Sequence, residues 1–268
     1  MLDKYSREIN YLRISVTDRC NLRCVYCMPA EGVPKKDHRE ILSYEQIIDV
    51  VRSAVGIGIS KIRITGGEPL IRKDILKLIK GIKSVEGVTE LVLTTNGVLL
   101  ENMAVELKEA GIDRLNISLD TLDPDKYAGL VRGGDINRVL RGIDKVIDAG
   151  FLHTKLNMVL IPEFNDIEVD DMKKFCTGKG LTLQRINHYS LHDIGSVSRN
   201  YKAERPLKCA LCNRIRLTSD GKLKPCLFSN LEIPLDPADI EASLRNAVLG
   251  KPEKGTFNTT GGNWEIGG

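Results

Sequence analysis

Short apolar runs and amphipathic segments alternate along the first 187 residues. Runs rich in Leu, Ile and Val predict strands at residues 12–16, 61–65, 90–95, 114–118, 155–160 and 182–186. Apolar residues at i, i+3 and i+4 predict helices at residues 44–55, 73–85, 101–110, 136–149 and 168–178. Six such βα units predict an α/β fold with a parallel sheet, which we interpret as a partial (β/α)6 barrel of the TIM type.

The pattern changes after about residue 193. Residues 195–207 are polar without a clear period, which indicates a linker or an excursion. A compact region with its own cysteines follows, then a helix near residues 240–248 and a glycine-rich end. We therefore predict two domains, residues 1–193 and a small C-terminal domain of residues 194–268.

Composition is that of a globular protein in a reducing compartment. Hydrophobic residues make up 42% and charged residues 28%, and the net charge of +3 does not favour binding to nucleic acid or to a membrane surface. The chain has no apolar run long enough for a bilayer, and its first ten residues lack the apolar stretch of a signal peptide. We expect a cytoplasmic protein, in which seven cysteines do not form a disulfide framework.

Three of these cysteines, Cys20, Cys24 and Cys27, are spaced C-x3-C-x2-C. Three thiolates in one loop can hold three irons of a [4Fe–4S] cluster and leave the fourth iron open, whereas electron-transfer clusters use four cysteines. The alternative is a structural zinc site, which needs four ligands, and the nearest histidine is His38. A seventh cysteine, Cys176, lies on a predicted amphipathic helix and is expected to be a small core residue.

A second triad, Cys209, Cys212 and Cys226, has the spacing C-x2-C-x13-C. It matches three quarters of a zinc ribbon, but no cysteine follows it, and we favour a second three-thiolate cluster with an open iron. Arg214 and Arg216 lie between these cysteines. In an extended segment their spacing places both guanidinium groups on one face, where they can grip phosphate oxygens; otherwise they are solvated surface residues.

Polar motifs follow the predicted strands at the end where parallel barrels hold their chemistry. Gly66-Gly67-Glu68-Pro69 follows the second strand, Thr94-Thr95-Asn96-Gly97 the third and Ser118-Leu119-Asp120 the fourth. Paired glycines let a backbone approach a ligand closely, although a tight strand-to-helix turn needs them as well.

Together these motifs resemble the radical S-adenosylmethionine (SAM) superfamily, and more closely its GTP 3′,8-cyclases of molybdenum-cofactor biosynthesis, the MoaA family. The similar segments are YLRISVTDRCNLRCVYCMP, KIRITGGEPLIRKD, LTTNGVLL, RLNISLDTL, CALCNRIRLTSDGKLKPCLF and the terminal IGG. The resemblance implies a radical SAM partial barrel followed by a small C-terminal iron–sulfur domain.

The resemblance also implies the roles of individual residues. Cys20, Cys24 and Cys27 would hold the cluster that binds SAM, and Cys209, Cys212 and Cys226 a second [4Fe–4S] cluster whose open iron meets the guanine base. The SAM contacts would be the Tyr26 backbone, Gly67, Thr94 and Ser118. The substrate site would contain Arg13, Lys61, Arg63, Lys155, Arg214 and Arg216, and the terminal Gly267 and Gly268 would reach into it.

The implied reaction is the conversion of GTP to (8S)-3′,8-cyclo-7,8-dihydroguanosine 5′-triphosphate. A 5′-deoxyadenosyl radical derived from SAM removes the ribose C3′ hydrogen, and the carbon radical attacks guanine C8. The implied partners are GTP, an electron donor of the flavodoxin or ferredoxin type and a downstream enzyme that forms the cyclic pyranopterin. The sequence leaves open whether the chain forms a homodimer.

Three positions depart from the family pattern. The family has an arginine on the sixth strand where this chain has Gln184, and the adjacent Arg185 would point to the opposite face of the strand. After the fifth strand the family has an arginine-glycine pair, where this chain has Pro162-Glu163. The connection of residues 187–208 is also short. These departures leave an alternative open, namely a twin-cluster radical SAM enzyme that acts on another nucleotide or a peptide. A non-enzymatic metal-binding or electron-carrier protein is the third hypothesis.

Overall fold

The computed structural model describes residues 1–34, 36–191 and 203–266. Within these residues the strands form one nine-stranded sheet with the order β6-β5-β4-β3-β2-β1-β7-β8-β9. The strands are β1 (Tyr11–Ser15), β2 (Lys61–Thr65), β3 (Glu90–Thr95), β4 (Arg114–Ser118), β5 (Lys155–Leu160), β6 (Thr182–Asn187), β7 (Arg214–Leu217), β8 (Lys222–Lys224) and β9 (Ile233–Pro234). The first six agree with the predicted strands to within one residue at each end.

The strands β1 to β6 are parallel, as predicted, and the sheet does not stop at β1. Strand β7 pairs with β1 in parallel, and β8 and β9 follow as antiparallel strands. The sequence did not predict these three short strands. They bring the second cysteine triad to the same sheet as the first, while the predicted boundary between residues 193 and 194 lies outside the described residues.

Eight helices lie in the described part of the chain, and the longer ones cover the sheet. They are α1 (Tyr44–Gly56), α2 (Ile75–Lys83), α3 (Leu100–Glu109), α4 (Pro124–Val131), α5 (Ile136–Asp148), α6 (Val169–Gly178), α7 (Ile240–Leu249) and α8 (Asn263–Ile266). Among the described residues no helix has the length and apolar character required to cross a bilayer.

Helix α1 illustrates how local signals and packing agree. Its N-cap Ser43 and Gln46 form a reciprocal capping box, which satisfies backbone donors at the helix start. Ile47, Val50 and Val51 form its buried face. Burial of such side chains stabilises the fold by about 1.5–3 kcal/mol each, so packing against the sheet fixes the helix in place.

The two faces of β1 have different environments. Leu12 and Ile14 belong to the hydrophobic core, whereas Arg13 is buried but lines a cavity. Since side chains alternate along a strand, Tyr11, Arg13 and Ser15 share the interior face of the sheet. That interior is polar, and it contains the candidate site.

Helix α4 was missed by the sequence analysis, although Asp123 caps it and Pro124 is its first residue. Its last turn holds the loop of the first cysteine triad. Arg23 and Val25 donate backbone hydrogen bonds to the last turn of the helix. The Arg132 side chain donates to the carbonyls of Arg23 and Met28 at 2.9 and 2.7 Å. The cysteine loop is therefore fixed by the protein itself.

Candidate active site

Two adjoining cavities open on the interior of the sheet, one at each cysteine triad. Cys20, Cys24 and Cys27 line the first-triad cavity, and Cys209, Cys212 and Cys226 line the second-triad cavity. Asn157, Ile186 and Tyr189 line both, so the cavities share a wall. Their empty volumes, including the part open to solvent, are about 1010 and about 950 Å³ respectively. The triads therefore lie beside one another, as the hypothesis of a shared site requires.

The first-triad cavity contains the residues expected to bind SAM. Tyr26, Gly67, Thr94 and Ser118 all line it. The hydroxyl oxygen of Thr94 is buried without a hydrogen-bond partner among the described residues. Buried polar atoms are normally satisfied, so this orphaned oxygen marks a place where a polar ligand fits.

Gly66 and Gly67, which follow β2, allow the backbone to pass close to the segment before Cys20. The Gly67 amide donates to Thr17 O at 2.7 Å and the Glu68 amide to Arg19 O at 2.8 Å. A Cβ atom on Gly67 would lie 2.2 Å from Arg19 O, so no other residue fits without moving the backbone. The Gly67 amide is thus engaged within the protein, and the glycines fix the segment that precedes Cys20.

Glu68 ties this turn to the end of β3. Its carboxylate accepts hydrogen bonds from the Leu70 amide at 3.0 Å, the Thr95 hydroxyl at 2.8 Å and the Asn96 amide at 2.7 Å. Burial raises the pKa of Glu68 to about 7, because these three hydrogen bonds offset only part of the desolvation of the charged form.

Asp120 is the single carboxylate on the first-triad cavity among the described lining residues, and neither lysine nor arginine accompanies it. It accepts hydrogen bonds from the Tyr26 hydroxyl and the Val159 amide, both at 2.7 Å. Burial raises the pKa of Asp120 to about 6. The Tyr26 ring meets His188 edge-on at 6.1 Å, so a packed side-chain network supports this wall.

The thiols of the first triad are partly buried, beside one another and near the carboxylates of Glu68 and Asp120. Burial raises the pKa of Cys24, and Asp120, Cys27 and Cys20 raise it further. Burial, followed by Cys20 and Asp120, raises the pKa of Cys27 to about 12. The site favours neutral thiols until a cation binds, which fits three thiolate ligands of a metal cluster.

The second-triad cavity has the opposite charge. Six arginines and one lysine line it against one carboxylate, Glu253, among the described residues. Strand register explains this concentration: Arg13 of β1 pairs with Arg63 of β2 on one side and with Arg216 of β7 on the other. Arg214 lies two residues before Arg216 and therefore on the same face. The prediction that Arg214 and Arg216 share a face is confirmed.

Several of these guanidinium groups have no carboxylate partner in the described part of the chain, although Arg7 pairs with Asp3. Within the described residues no ion pair involves Arg63, Arg214 or Arg216, and the Nε atoms of Arg214 and Arg216 have no hydrogen-bond partner. Tyr11 lies between two of them: it accepts from Arg63 Nε at 2.5 Å, and Arg214 lies 5.9 Å from its ring. Burial, together with Arg216, Arg63 and Arg214, holds the pKa of Arg13 well below its usual range. The charge and the free donors of this cavity suit an anionic ligand.

The same positive charge acts on the second triad. Burial opposes ionisation of Cys212, but Lys251 and Arg214 outweigh it and lower the pKa of this thiol to about 7. Lys251 is itself buried and donates to Arg214 O at 2.8 Å and Pro225 O at 2.7 Å. Arg7, ion-paired with Asp3, donates to Cys209 O at 3.1 Å and so anchors the loop.

The remaining predicted substrate residues have mixed outcomes. Lys61 and Lys155 lie on β2 and β5 two residues before Arg63 and Asn157, but neither lines the cavity. Gln184 does line it, whereas Arg185 pairs with Glu204 at 2.6 Å on the other face, as strand alternation predicted. The exposed Glu163 has a φ of 61°, a conformation that suits the glycine of the family pattern.

The terminal Gly267 and Gly268 lie outside the described residues, so their role stays a prediction. The helix that precedes them is anchored beside the site. Asn263 lines the first-triad cavity, with its Oδ1 atom buried and without a partner among the described residues, and Ile266 packs with Leu227 and Phe228.

Sequence reasoning missed several lining residues. Asn157 could have been found, because it lies two residues after Lys155 on one strand face; its Oδ1 atom is buried without a described partner. Tyr189, Arg205 and Lys251 lie outside regular strands and have no periodic signal. Cys176 is buried in α6, as predicted for a core residue. No set of three or more His, Cys, Asp or Glu side chains among the described residues is placed to hold a single metal ion.

Residues 14–176 match the model of the Radical SAM superfamily. Curated relatives named GTP 3′,8-cyclase include one from Alkaliphilus oremlandii, 43% identical with 95% of this chain and 94% of the relative covered. One from Clostridium botulinum strain Langeland is 44% identical over 88% of this chain and 86% of the relative. One from Geobacter sulfurreducens is 42% identical over 95% of this chain and 93% of the relative. The first alignment runs over 303 positions although this chain has 268 residues, so that relative carries additional residues within the aligned region.

Solved structures show the same fold. Streptococcus suis SuiB bound to precursor peptide SuiA has a TM-score of 0.66 at 16% identity, with 83% of this chain covered; this chain spans 60% of that one. The protein anSMEcpe with bound AdoMet has a TM-score of 0.65 at 17% identity, with 87% of this chain and 76% of that chain covered. These structures share the fold of this chain. Because the superfamily model matches residues 14–176 and the curated relatives are more than 40% identical over most of the chain, this chain belongs to the radical SAM superfamily and, within it, to the family of GTP 3′,8-cyclases.

Proposed function

We propose that this chain converts GTP to (8S)-3′,8-cyclo-7,8-dihydroguanosine 5′-triphosphate, the first step of molybdenum-cofactor biosynthesis. The relatives that are more than 40% identical over most of the chain have the name GTP 3′,8-cyclase. The reaction class is that of a radical SAM lyase.

The observation that supports this substrate most strongly is the group of buried arginines without carboxylates. Arg63, Arg214 and Arg216 are each less than a tenth exposed, and no described ion pair neutralises them. Burying an uncompensated charge costs several kcal/mol, so such a cluster is stable only with an anion or with water in the cavity. A triphosphate with about four negative charges matches it. A peptide substrate would not need this cluster, and no observation favours that alternative.

Membership of the radical SAM superfamily implies SAM and a [4Fe–4S] cluster as cofactors. We assign Cys20, Cys24 and Cys27 to that cluster and a second [4Fe–4S] cluster to Cys209, Cys212 and Cys226. All six thiols are free of disulfides and line the two cavities in groups of three. Three ligands per cluster would leave one iron open for SAM and, in the second cavity, one for the guanine base.

The bound cluster and SAM supply the radical chemistry, and the protein supplies binding, orientation and exclusion of water. Thr94 and Ser118 offer polar contacts to SAM from the ends of β3 and β4. The carboxylate of Asp120 offsets the positive charge of a sulfonium compound in the same cavity. Arg13, Arg63, Arg214 and Arg216 hold the phosphate chain in the second cavity. We assign the ribose to the junction at the shared wall of Asn157, Ile186 and Tyr189, next to SAM.

Lys61 and Lys155 share the interior face with Arg63 and Asn157, and we assign them to the outer part of the phosphate site. We assign Gly267 and Gly268 to the substrate side of the junction, because Asn263 and Ile266 anchor the preceding helix there.

The partners follow from the reaction. Reductive cleavage of SAM requires an electron donor, for which we propose a flavodoxin or ferredoxin, and the product requires a downstream enzyme that forms the cyclic pyranopterin. A cluster with an iron that lacks a protein ligand is sensitive to oxygen, so we place the protein in the cytoplasm. A homodimer is compatible with this function.

The test uses GTP labelled with deuterium at C3′. The anaerobically reconstituted protein is given SAM, dithionite and the labelled GTP, and both products are analysed by mass spectrometry. We expect the deuterium in 5′-deoxyadenosine, together with the cyclised nucleotide. Formation of unlabelled 5′-deoxyadenosine without consumption of GTP would retain the superfamily chemistry and exclude GTP as the substrate.

A further inference from the structure

Arg205 lines the second-triad cavity but lies outside the strands that supply Arg13, Arg63, Arg214 and Arg216. Arg205 lines the cavity together with Gln184 and Arg214. It belongs to a short extended segment that lies against β6. The resemblance to the family assigned no role to it.

Backbone pairing explains why this side chain enters the cavity. The Asn187 amide donates to Arg205 O at 2.9 Å, and the Arg205 amide donates to Arg185 O at 3.2 Å. This is a parallel bridge between Arg205 and Ile186. Paired residues of neighbouring strands point to the same face, and Ile186 lines both cavities. Arg205 therefore shares the interior face with Gln184, while Glu204 turns outward to Arg185.

The guanidinium of Arg205 has unused donors. Its Nη1 atom is buried and has no hydrogen-bond partner in the described part of the chain, and no carboxylate there forms an ion pair with it. Burial, then Arg214 and Arg63, lowers the pKa of Arg205 to about 10, which shows that it lies within the field of the other cavity arginines. It remains a cation at neutral pH.

We propose that Arg205 binds a phosphate group of the substrate and supplies the charge that Gln184 does not. Gln184 pairs in register with Asn157, so two neutral amide side chains line the β5–β6 side of the cavity. The family pattern has an arginine at the position of Gln184, and this side of the cavity therefore lacks that positive charge. Arg205 brings a charge to that side from the next segment of the sheet. This inference rests on the proposed function and concerns the binding of its substrate.

The experiment measures the Kd of GTP and of guanosine on the anaerobically reconstituted enzyme, for the wild type and four variants. A charge-assisted hydrogen bond to phosphate corresponds to a factor of about ten to a hundred in affinity. Arg205→Gln should raise the Kd of GTP by that factor and leave the Kd of guanosine unchanged within about twofold. Arg205→Lys, which keeps the charge and loses the planar fork, should fall between. The second-site variant Gln184→Arg combined with Arg205→Gln should recover most of the affinity.

The far-UV circular dichroism spectrum and the iron content report whether each variant is folded. Arg185→Gln is the matched control: it removes an arginine from the adjacent position on the outer face, and its GTP affinity should remain that of the wild type. Equal GTP affinity in Arg205→Gln and the wild type would refute the role of Arg205. An equal loss of GTP affinity in Arg185→Gln, or an equal loss of guanosine affinity in Arg205→Gln, would also refute it. Either result would show that the substitution acts by moving the segment and not by removing a phosphate contact. If the wild type itself fails to bind GTP, the proposed function fails instead.

Discussion

The two cavities share a wall and differ in charge. Asp120 is the single ionisable carboxylate on the described surface of the first-triad cavity, whereas arginines surround the second. The same difference reaches the thiols: burial and neighbouring acids raise the pKa of Cys24 and Cys27, and Lys251 and Arg214 lower that of Cys212. Adjacent sites of opposite polarity suit two ligands of opposite charge, as the proposed binding of a sulfonium cation beside a triphosphate requires.

The largest expected effect comes from removing one cysteine of each triad. Cys24→Ala should abolish cleavage of SAM, because the first cluster loses a ligand. Cys212→Ala should retain part of the cleavage and form no cyclised product. Each variant should lose about half of the eight irons that two clusters contain. The measurements are iron content and anaerobic product analysis. Identical behaviour of the two variants would contradict separate roles for the two cavities.

The Gly67 position tests the geometry of the first cavity. In Gly67→Ala the new Cβ meets Arg19 O, so the segment before Cys20 must move. A displacement of about 1 Å near the reacting groups costs about a hundredfold in rate, and we expect that loss in SAM cleavage. The control is Gly129→Ala in α4, which has nothing within 4 Å of the new Cβ and should be stabilised by about 0.4–1 kcal/mol. Unchanged SAM cleavage in Gly67→Ala would contradict the close approach.

Glu68 predicts how the stability of the apoprotein depends on pH. Its pKa rises from 4.5 to about 7 on burial, so the native state binds more protons than the unfolded state between these values. The contribution of Glu68 to the free energy of unfolding is therefore full below pH 4.5 and is lost as the pH rises towards 7, by about 3 kcal/mol.

Glu68→Gln removes this titration while keeping the side-chain shape. Urea unfolding at several pH values should show a shallower decline for the variant between pH 4.5 and 7, whatever its absolute stability. Parallel curves for both proteins would show that Glu68 is not protonated in the native state.

Asp120→Asn tests the charge of the first cavity alone. We expect the Kd of SAM to rise about tenfold and the Kd of GTP to stay unchanged. Because the pKa of Asp120 is about 6, SAM binding by the wild type should weaken as the pH falls below 6, and the variant should lack this step. Asp125→Asn, an exposed carboxylate in the first turn of α4, serves as the control. A GTP affinity that changes as much as the SAM affinity would erase the contrast between the cavities.

The regular part of the fold was predictable because the six parallel strands and the five predicted helices between them have clear periods. The motifs that contain Thr94 and Ser118 could be placed from their position after predicted strands, and Arg214 from the strand face that it shares with Arg216. The assignment of the cysteines to two clusters, and of Thr94 and Ser118 to SAM, came from the resemblance to the family. Arg205 and Lys251 could not be predicted, because they reach the site through a bridge to β6 and through the end of α7. Nor does sequence periodicity predict that β7 pairs with β1, since that pairing joins segments 200 residues apart. This pairing places Arg216 beside Arg13, which pairs with Arg63 of β2 on its other side.

The central claim is that the arginines of the second cavity bind GTP and do not affect SAM. Equilibrium binding of both ligands to Arg214→Ala, Arg216→Ala and the double variant tests it most directly, with the exposed Arg245→Ala of α7 as the control. Each single variant should raise the Kd of GTP at least about tenfold and the double variant at least about a hundredfold, with the Kd of SAM unchanged. A GTP affinity that survives both substitutions, or an equal loss for the two ligands, would contradict the account.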